Sequence, residues 1–502
     1  MSKNDELKAV QQNIRQAIRQ GRLDEARGIY EQQVLPSDAP AGWKARVLAT
    51  LARGGVTNLE PHLEKLREAG ASEGQLNRAI LDLEGGGAEE TLARLEKDSA
   101  QRALSKQEQA LRIQLLLRLG RFERVLTEVQ RLMELFPERP DFAALHVKAL
   151  FGAKKFREGT FALREALIRW PSAGQFPVIL LRLPLPAHVF EWLFGLVSQN
   201  RRGQENSPLA THLYALLALR ARRLEDALAA LEEIQSFPHA AVLRRALTIY
   251  SPREWRERAR LDDDPLQPIQ TVRHPDPRAT LVFFAGVFSD FAQLPLSYLD
   301  ALLSDLPVSV IYVKDRRRRA SIDGVPGFAP SQEEAAAKLR DLAGQLGSSE
   351  LLTMGAALGG FTAIRYGALM EARRVLALAP ITVLETGMEG EEEGDEGEGE
   401  GGGERDLAFL KWSLKGYTQR QRDVRPDLLE KPQLQLTQIV GPEHYANLAH
   451  ANRLAALPNV TTVTIAGATD YLQERCARST LTHHLIGSGE FAEHLRRLTE
   501  GL

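Results

Sequence analysis

Over roughly the first 250 residues, apolar positions recur at helical spacing and are broken by short turns, as at Leu111, Leu115, Leu116 and Leu119 ahead of Gly120. Nothing in this stretch alternates as a strand would. Between 251 and 279, Pro252, Pro265, Pro268, Pro275 and Pro277 punctuate a charged, aperiodic segment that reads as a linker. From residue 280 onward, short apolar runs alternate with helix-forming segments. The runs are Leu281–Ala285, Val308–Val313, Leu351–Met354, Val375–Leu378, Leu436–Val440 and Val460–Ile465. Buried strands joined by crossover helices make a mainly parallel sheet in a three-layer α/β domain, with ligands beyond the carboxyl ends of the strands.

The helical region repeats itself. Gly120-Arg121-Phe122 precedes Leu135-Phe136-Pro137, and Lys154-Lys155-Phe156 precedes Arg169-Trp170-Pro171. Phe122 and Phe156, Phe136 and Trp170, and Pro137 and Pro171 are each 34 positions apart. The segments at Gly21–Ala26 and Arg223–Ala227 look like degenerate copies of the same turn. This period resembles the tetratricopeptide repeat. The resemblance implies an α-solenoid over 1–250 whose stacked helix pairs present an extended surface to a protein partner.

The most informative segment of the second half is Gly355-Ala356-Ala357-Leu358-Gly359, directly after one strand and opening a helix. It resembles the G-x-S-x-G nucleophile elbow of the α/β-hydrolases, with Ala357 where the serine stands. Alanine has no hydroxyl to attack a carbonyl. The likeness extends over Leu281–Pro380 and is to a bacterial subfamily often fused to helical repeats and associated with surface-polysaccharide or envelope functions. Later, Asn447-Leu448-Ala449-His450-Ala451-Asn452-Arg453-Leu454 resembles that subfamily's D-x-x-H-A-x-R-L, which puts Asn447 at the place of the catalytic aspartate. The histidine position falls at Gly467–Tyr471, where Asp470 stands and no histidine does. Three departures together point to natural loss of hydrolytic chemistry, since each triad member has a distinct role.

What the resemblance leaves is a pocket scaffold. Its oxyanion donors would be the Leu358 N–H and one from Gly286-Val287, which could still hold a carboxylate, phosphate or carbonyl. Asp315 follows the second strand, and Arg316, first of four consecutive arginines, could add anion contacts. Ser289 is a possible substitute nucleophile, although a turn-capping serine is the plainer reading. His450 or His483 would have to reach the elbow for any esterase chemistry.

Composition narrows the classes. Eight carboxylates and no Lys or Arg within 389–400 outweigh the formal net charge of −2 and leave the rest of the chain at +6, too mild for a dedicated nucleic-acid binder. Residues 387–404 read as an acidic, glycine-rich disordered insertion, in which Gly397, Gly399 and Gly402 spell a dinucleotide motif that its carboxylates rule out. Neither the His444, His450, His483 and His484 set nor Cys476 has metal-ligand spacing, so no metal or cofactor is expected. A single cysteine, the absence of a secretory leader and the lack of a run of about 18 apolar residues point to a cytoplasmic protein without a membrane span.

The expectation is therefore a solenoid over 1–250, a linker over 251–279 and an α/β-hydrolase-like domain over 280–502. Together they would make a non-catalytic adaptor holding a protein partner. A serine esterase or acyltransferase altered at Ala357, and a module binding an anionic glycan or sugar phosphate, are the alternatives.

Overall fold

The computed structural model describes parts of 10–68, and residues 88–501 apart from 103, 105, 202–206, 287–288, 316, 318, 349, 385–416, 442–444 and 466–476. The described residues divide into two compact units between Leu163 and Arg164.

The first unit is helical: α1 (Leu23–Ile29), α2 (Glu60–Glu68), α3 (Ala88–Gln101), α4 (Lys106–Arg118), α5 (Phe122–Leu135) and α6 (Pro140–Gly152). The next helix, α7 (Phe156–Arg169), crosses the division. Each helix buries one stripe, as Val125, Leu126 and Val129 do on α5, and Pro140 sits at the first position of α6, where its missing N–H costs nothing.

Some helices recur at multiples of 34 residues, although α8 (Gln175–Arg182), at the intervening place, has only 8 residues. Helices Lys106–Arg118, Pro140–Gly152 and α10 of the second unit, Pro208–Arg220, have the same length of 13 residues, with starts 34 and 68 positions apart. Each is followed at the same offset by a left-handed residue: Gly120 (φ 70°), Lys154 (φ 62°) and Arg222 (φ 57°). The next N–H then closes back on the helix, Arg121 to Leu116 O at 2.8 Å, Lys155 to Leu150 O at 2.9 Å and Arg223 to Ala218 O at 2.8 Å. This is a Schellman-type stop, which satisfies carbonyls the helix end leaves without partners.

The second unit holds both helices and sheet. Its helices α8 (Gln175–Arg182), α9 (Ala187–Arg201), α10, α11 (Leu224–Glu233), α12 (Pro238–Leu247) and α13 (Pro252–Arg258) lead into strands β1 (Ile269–Val272), β2 (Ala279–Phe284), β3 (Val308–Val313), β4 (Leu351–Ala356), β5 (Arg374–Leu378), β6 (Gln435–Val440) and β7 (Val460–Thr464). The sheet order is β1-β3-β2-β4-β5-β6-β7, parallel throughout except for the antiparallel β1–β3 pair. Strands β2, β3 and β4 are buried along their whole length, which is why they read as unbroken apolar runs. Helices α14 (Leu296–Leu303), α15 (Gln332–Gln345), α16 (Leu358–Met370), α17 (Gln419–Arg422), α18 (Arg425–Glu430), α19 (Tyr445–Ala455), α20 (Ala477–Ser488) and α21 (Glu490–Thr499) complete it. This is an α/β domain with a mostly parallel seven-stranded sheet.

Two features depart from the sequence reading. The segment read as a linker, 251–279, carries α13, which opens on a Ser251–Glu254 capping box, and the edge strand β1. The compact division also falls well before residue 250, because helices from the repeat region pack with the sheet unit: Tyr298 of α14 donates to Ala246 O at 2.7 Å. The acidic tract at 387–404 lies outside the described residues. Among the described residues, no helix is long and apolar enough to cross a membrane.

Candidate functional site

At the carboxyl end of β4 the chain turns through Ala357 (φ 52°, ψ −115°) straight into α16. Packing dictates the flanking glycines. A Cβ on Gly355 would stand 2.1 Å from Gly359 O, and one on Gly359 would stand 2.3 Å from Phe284 O. Neither contact is possible for a side chain, so strand and helix approach this closely only with glycine at both positions. Hydrogen bonds fix the turn: Ala357 N–H to Leu378 O at 2.9 Å, and Ile381 N–H to Ala357 O at 3.2 Å. A residue with a side chain is held in a backbone region it rarely adopts, at the tip of a strand–turn–helix elbow. The tip bears only a methyl group. It offers no nucleophile.

A small pocket lies beside the elbow among the described residues. The pocket there is lined by Ala285, Gly286, Asp315, Ser321, Leu358 and Thr362, with others, and encloses about 10 Å³, room for about one water. Drug-sized ligands occupy roughly 300–1,000 Å³. Gly286 and Leu358, the expected anion-holding positions, do face one pocket, because β2 ends against the start of α16. Val287 lies outside the described residues.

Asp315 is turned to another use. Its carboxylate accepts the backbone N–H groups of Arg317 (2.9 Å), Arg319 (2.7 Å) and Ser321 (2.8 Å), which pins the loop after β3. That loop contains left-handed Ala320 and Ser321, and Tyr366 of α16 donates to Ser321 O at 2.9 Å. Of the arginine run, Arg319 pairs with Asp323 at 3.1 Å, while Arg316 and Arg318 lie outside the described residues.

The two candidate histidines, His450 and His483, make hydrogen bonds of their own. On α19, His450 takes the Thr382 N–H on Nδ1 at 3.2 Å, and Thr382 Oγ1 donates to His450 O at 3.0 Å. Arg453, one turn on, pairs with Asp423 at 2.7 Å. The motif that resembles a catalytic segment thus ties α19 to the chain after β5. Asn447 lies on α19 with its side chain outside the described residues, and Asp470 lies outside them altogether. His483 of α20 donates from Nε2 to Ala292 O at 2.7 Å. Ser289 has φ 60° and bonds through its N–H to Gly286 O at 3.0 Å, as a turn residue. Beside it, burial raises the Asp290 carboxyl to about 7, a group the sequence does not flag because only the folded loop desolvates it. Among the described residues no cluster of metal-ligating groups occurs.

The first unit has a roomier concavity of about 570 Å³ between α5, α6 and the start of α7. Leu126 and Leu150 form its apolar part, and Glu123, Arg131, His146 and Glu158 are among its polar lining. Lys155 bonds to Glu123 at 2.9 Å across it.

No protein-family model and no curated protein matches the chain. Solved structures similar to it include esterase B from Lactobacillus Rhamnosis, at 14% identity over 48% of this chain and 83% of that one, with a TM-score of 0.33. A carboxylesterase from the thaumarchaeon Nitrososphaera gargenis is similar at 14% over 47% and 96%, with a TM-score of 0.33. MenH from S. aureus is similar at 14% over 47% and 98%, with a TM-score of 0.31. Likeness at this level says nothing of this chain's activity; the architecture of its second unit rests on strand order and elbow geometry.

Proposed function

We propose that this protein is a non-catalytic adaptor, in which an α/β-hydrolase-like body has lost its chemistry and a tetratricopeptide-like helical array holds a protein partner. The observation that carries the reading is Ala357: the elbow keeps its strained backbone and its two obligatory glycines, yet presents a methyl group. The water-sized pocket and the commitment of Asp315 to three backbone N–H groups support it, since both leave little room for a substrate or an anion. The 34-residue recurrence of helices and left-handed stops supports the repeat reading, and the 570 Å³ concavity in the first unit is a surface of the size a partner's side chains fill. Envelope or surface-glycan assembly is the setting the resembling subfamily offers.

The test is restoration. Ala357→Ser is made in the full chain, and both proteins are exposed to a fluorophosphonate and to short-chain acyl esters. No label and no turnover in either is the expected result, because Gly467–Tyr471, at the subfamily's histidine position, holds no histidine and the described pocket beside the elbow is water-sized. Labelling and turnover in Ala357→Ser would mean intact machinery blocked at one atom, and the adaptor reading would fall.

A further inference from the structure

Three buried histidines from three helices meet beside the loop that follows β2. They are His212 on α10, His239 on α12 and His483 on α20. The Phe237 ring meets His212 edge-on at 6.3 Å and His239 at 5.4 Å. His239 Nδ1 lies 3.1 Å from Thr480 Oγ1. One turn further along α20, His483 Nε2 holds Ala292 O. Neither ring nitrogen of His212 has a hydrogen-bond partner.

The loop so held is strained. Ser289 (φ 60°), Ala292 (φ 52°) and Gln293 (φ 72°) are all left-handed without being glycine, a conformation that persists only where the surroundings impose it. Phe291 and Leu294 bond reciprocally at 2.9 Å, and Gly286 N–H bonds to Asp290 O at 3.0 Å, so the loop connects directly to the wall of the elbow pocket.

We propose that these histidines and residues 289–294 form an acid-released latch: the neutral rings hold the loop in its strained shape, and protonation frees loop and α20 together.

Charged groups act on the cluster and on the loop in both directions. The three histidines act on one another, His239 on His212 and both of these on His483, and Arg220 on α10 acts on Asp290 in the loop. The acids acting on the loop are Asp263, already bonded to Lys314 at 3.0 Å, and Asp290, raised to about 7 by burial; Asp290 holds its proton in the closed loop and gives it up on release, which opposes opening as pH falls. Burial pushes His212 down to about 4 and His483 down to about 3, and also lowers His239, with the neighbouring histidines adding to the effect on His212 and His483. A released ring returns to its ordinary value of about 6.5. Below that value the open state binds more protons than the closed one, so opening is favoured as pH falls. Each histidine contributes up to about tenfold per pH unit between about 6.5 and about 4, and Asp290 takes back about tenfold, so His212, His483 and Asp290 together leave a net of about tenfold per pH unit. The latch is shut at neutral pH and opens well before the buried rings would titrate in place.

Hydrogen–deuterium exchange on the full chain at pH 7, 6 and 5, corrected for the intrinsic rate, tests this. Amides of 289–294 and of α20 should lose about tenfold or more in protection by pH 5, while β4 and β5 change little. His212→Phe keeps an apolar ring of similar shape and removes one titrating group, so its loss per pH unit should be about tenfold smaller. His239→Gln, which can still bond Thr480, provides the same comparison should His212→Phe fail to fold. Equal loss in strands and loop, or the same pH dependence with and without the histidine, would overturn the proposal.

Discussion

Ala357 concentrates the residue-scale physics of this protein. Its φ of 52° with ψ of −115° puts a Cβ where backbone sterics resist it, at a cost of roughly 1–3 kcal/mol. Ala357→Gly removes the clash, and against the extra entropy of an unfolded glycine a net gain of about 1 kcal/mol is expected from chemical denaturation. Gly355→Ala should do the reverse by about 3 kcal/mol or more, because its Cβ would meet the Gly359 backbone at 2.1 Å. Equal small effects of both changes would mean that the turn is looser than this. The glycines were legible as a motif because a close approach leaves a one-letter signature. The fates of Asp315 and His450 were not: which donors a carboxylate or imidazole finds depends on backbone N–H groups and a threonine brought in by folding.

At the scale of elements, the repeat is written in turns as much as in helices. Gly120, Lys154 and Arg222 occupy the same left-handed position, yet only the first is the residue that position favours. Lys154→Gly is therefore expected to stabilise the fold by up to about 1 kcal/mol, and Gly120→Lys to destabilise it by a similar amount, both read as shifts in denaturant midpoint. Opposite signs would dissolve the equivalence of the turns. The period was visible in the sequence through Phe122, Phe156, Pro137 and Pro171, since aromatic and proline residues mark helix starts and stops. Six strands were visible too, because buried parallel strands leave continuous apolar runs. The antiparallel strand Ile269–Val272 was not, for an edge strand of alternating burial amid prolines has no such run.

For the whole molecule, the question is where one cooperative body ends. Composition marks a boundary near 250–279, but the packing does not respect it. Asp300, wholly buried, accepts the N–H groups of Arg260 and Leu261 and the Tyr312 hydroxyl, and pairs with the Arg260 guanidinium at 3.1 Å. A fragment beginning at 270 would strip that carboxylate of all but the tyrosine, a loss of the kind that costs about 3–5 kcal/mol. It would also remove α12, against which Gly487 of α20 fits so closely that its Cβ would lie 3.0 Å from Arg245, and would leave the Tyr298 hydroxyl without Ala246 O. Residues 164–502 should accordingly melt as one cooperative unit by circular dichroism, whereas 270–502 should show no cooperative transition and should bind a hydrophobic dye. If 270–502 melted within about 5 °C of the longer fragment, the helices of 164–258 would be passengers on the sheet. The expected failure means that partner-binding experiments which divide the chain at 270 would measure an unfolded sheet domain, and that a division at 163 keeps the buried acid with Arg260 and Leu261 and keeps α12 against α20.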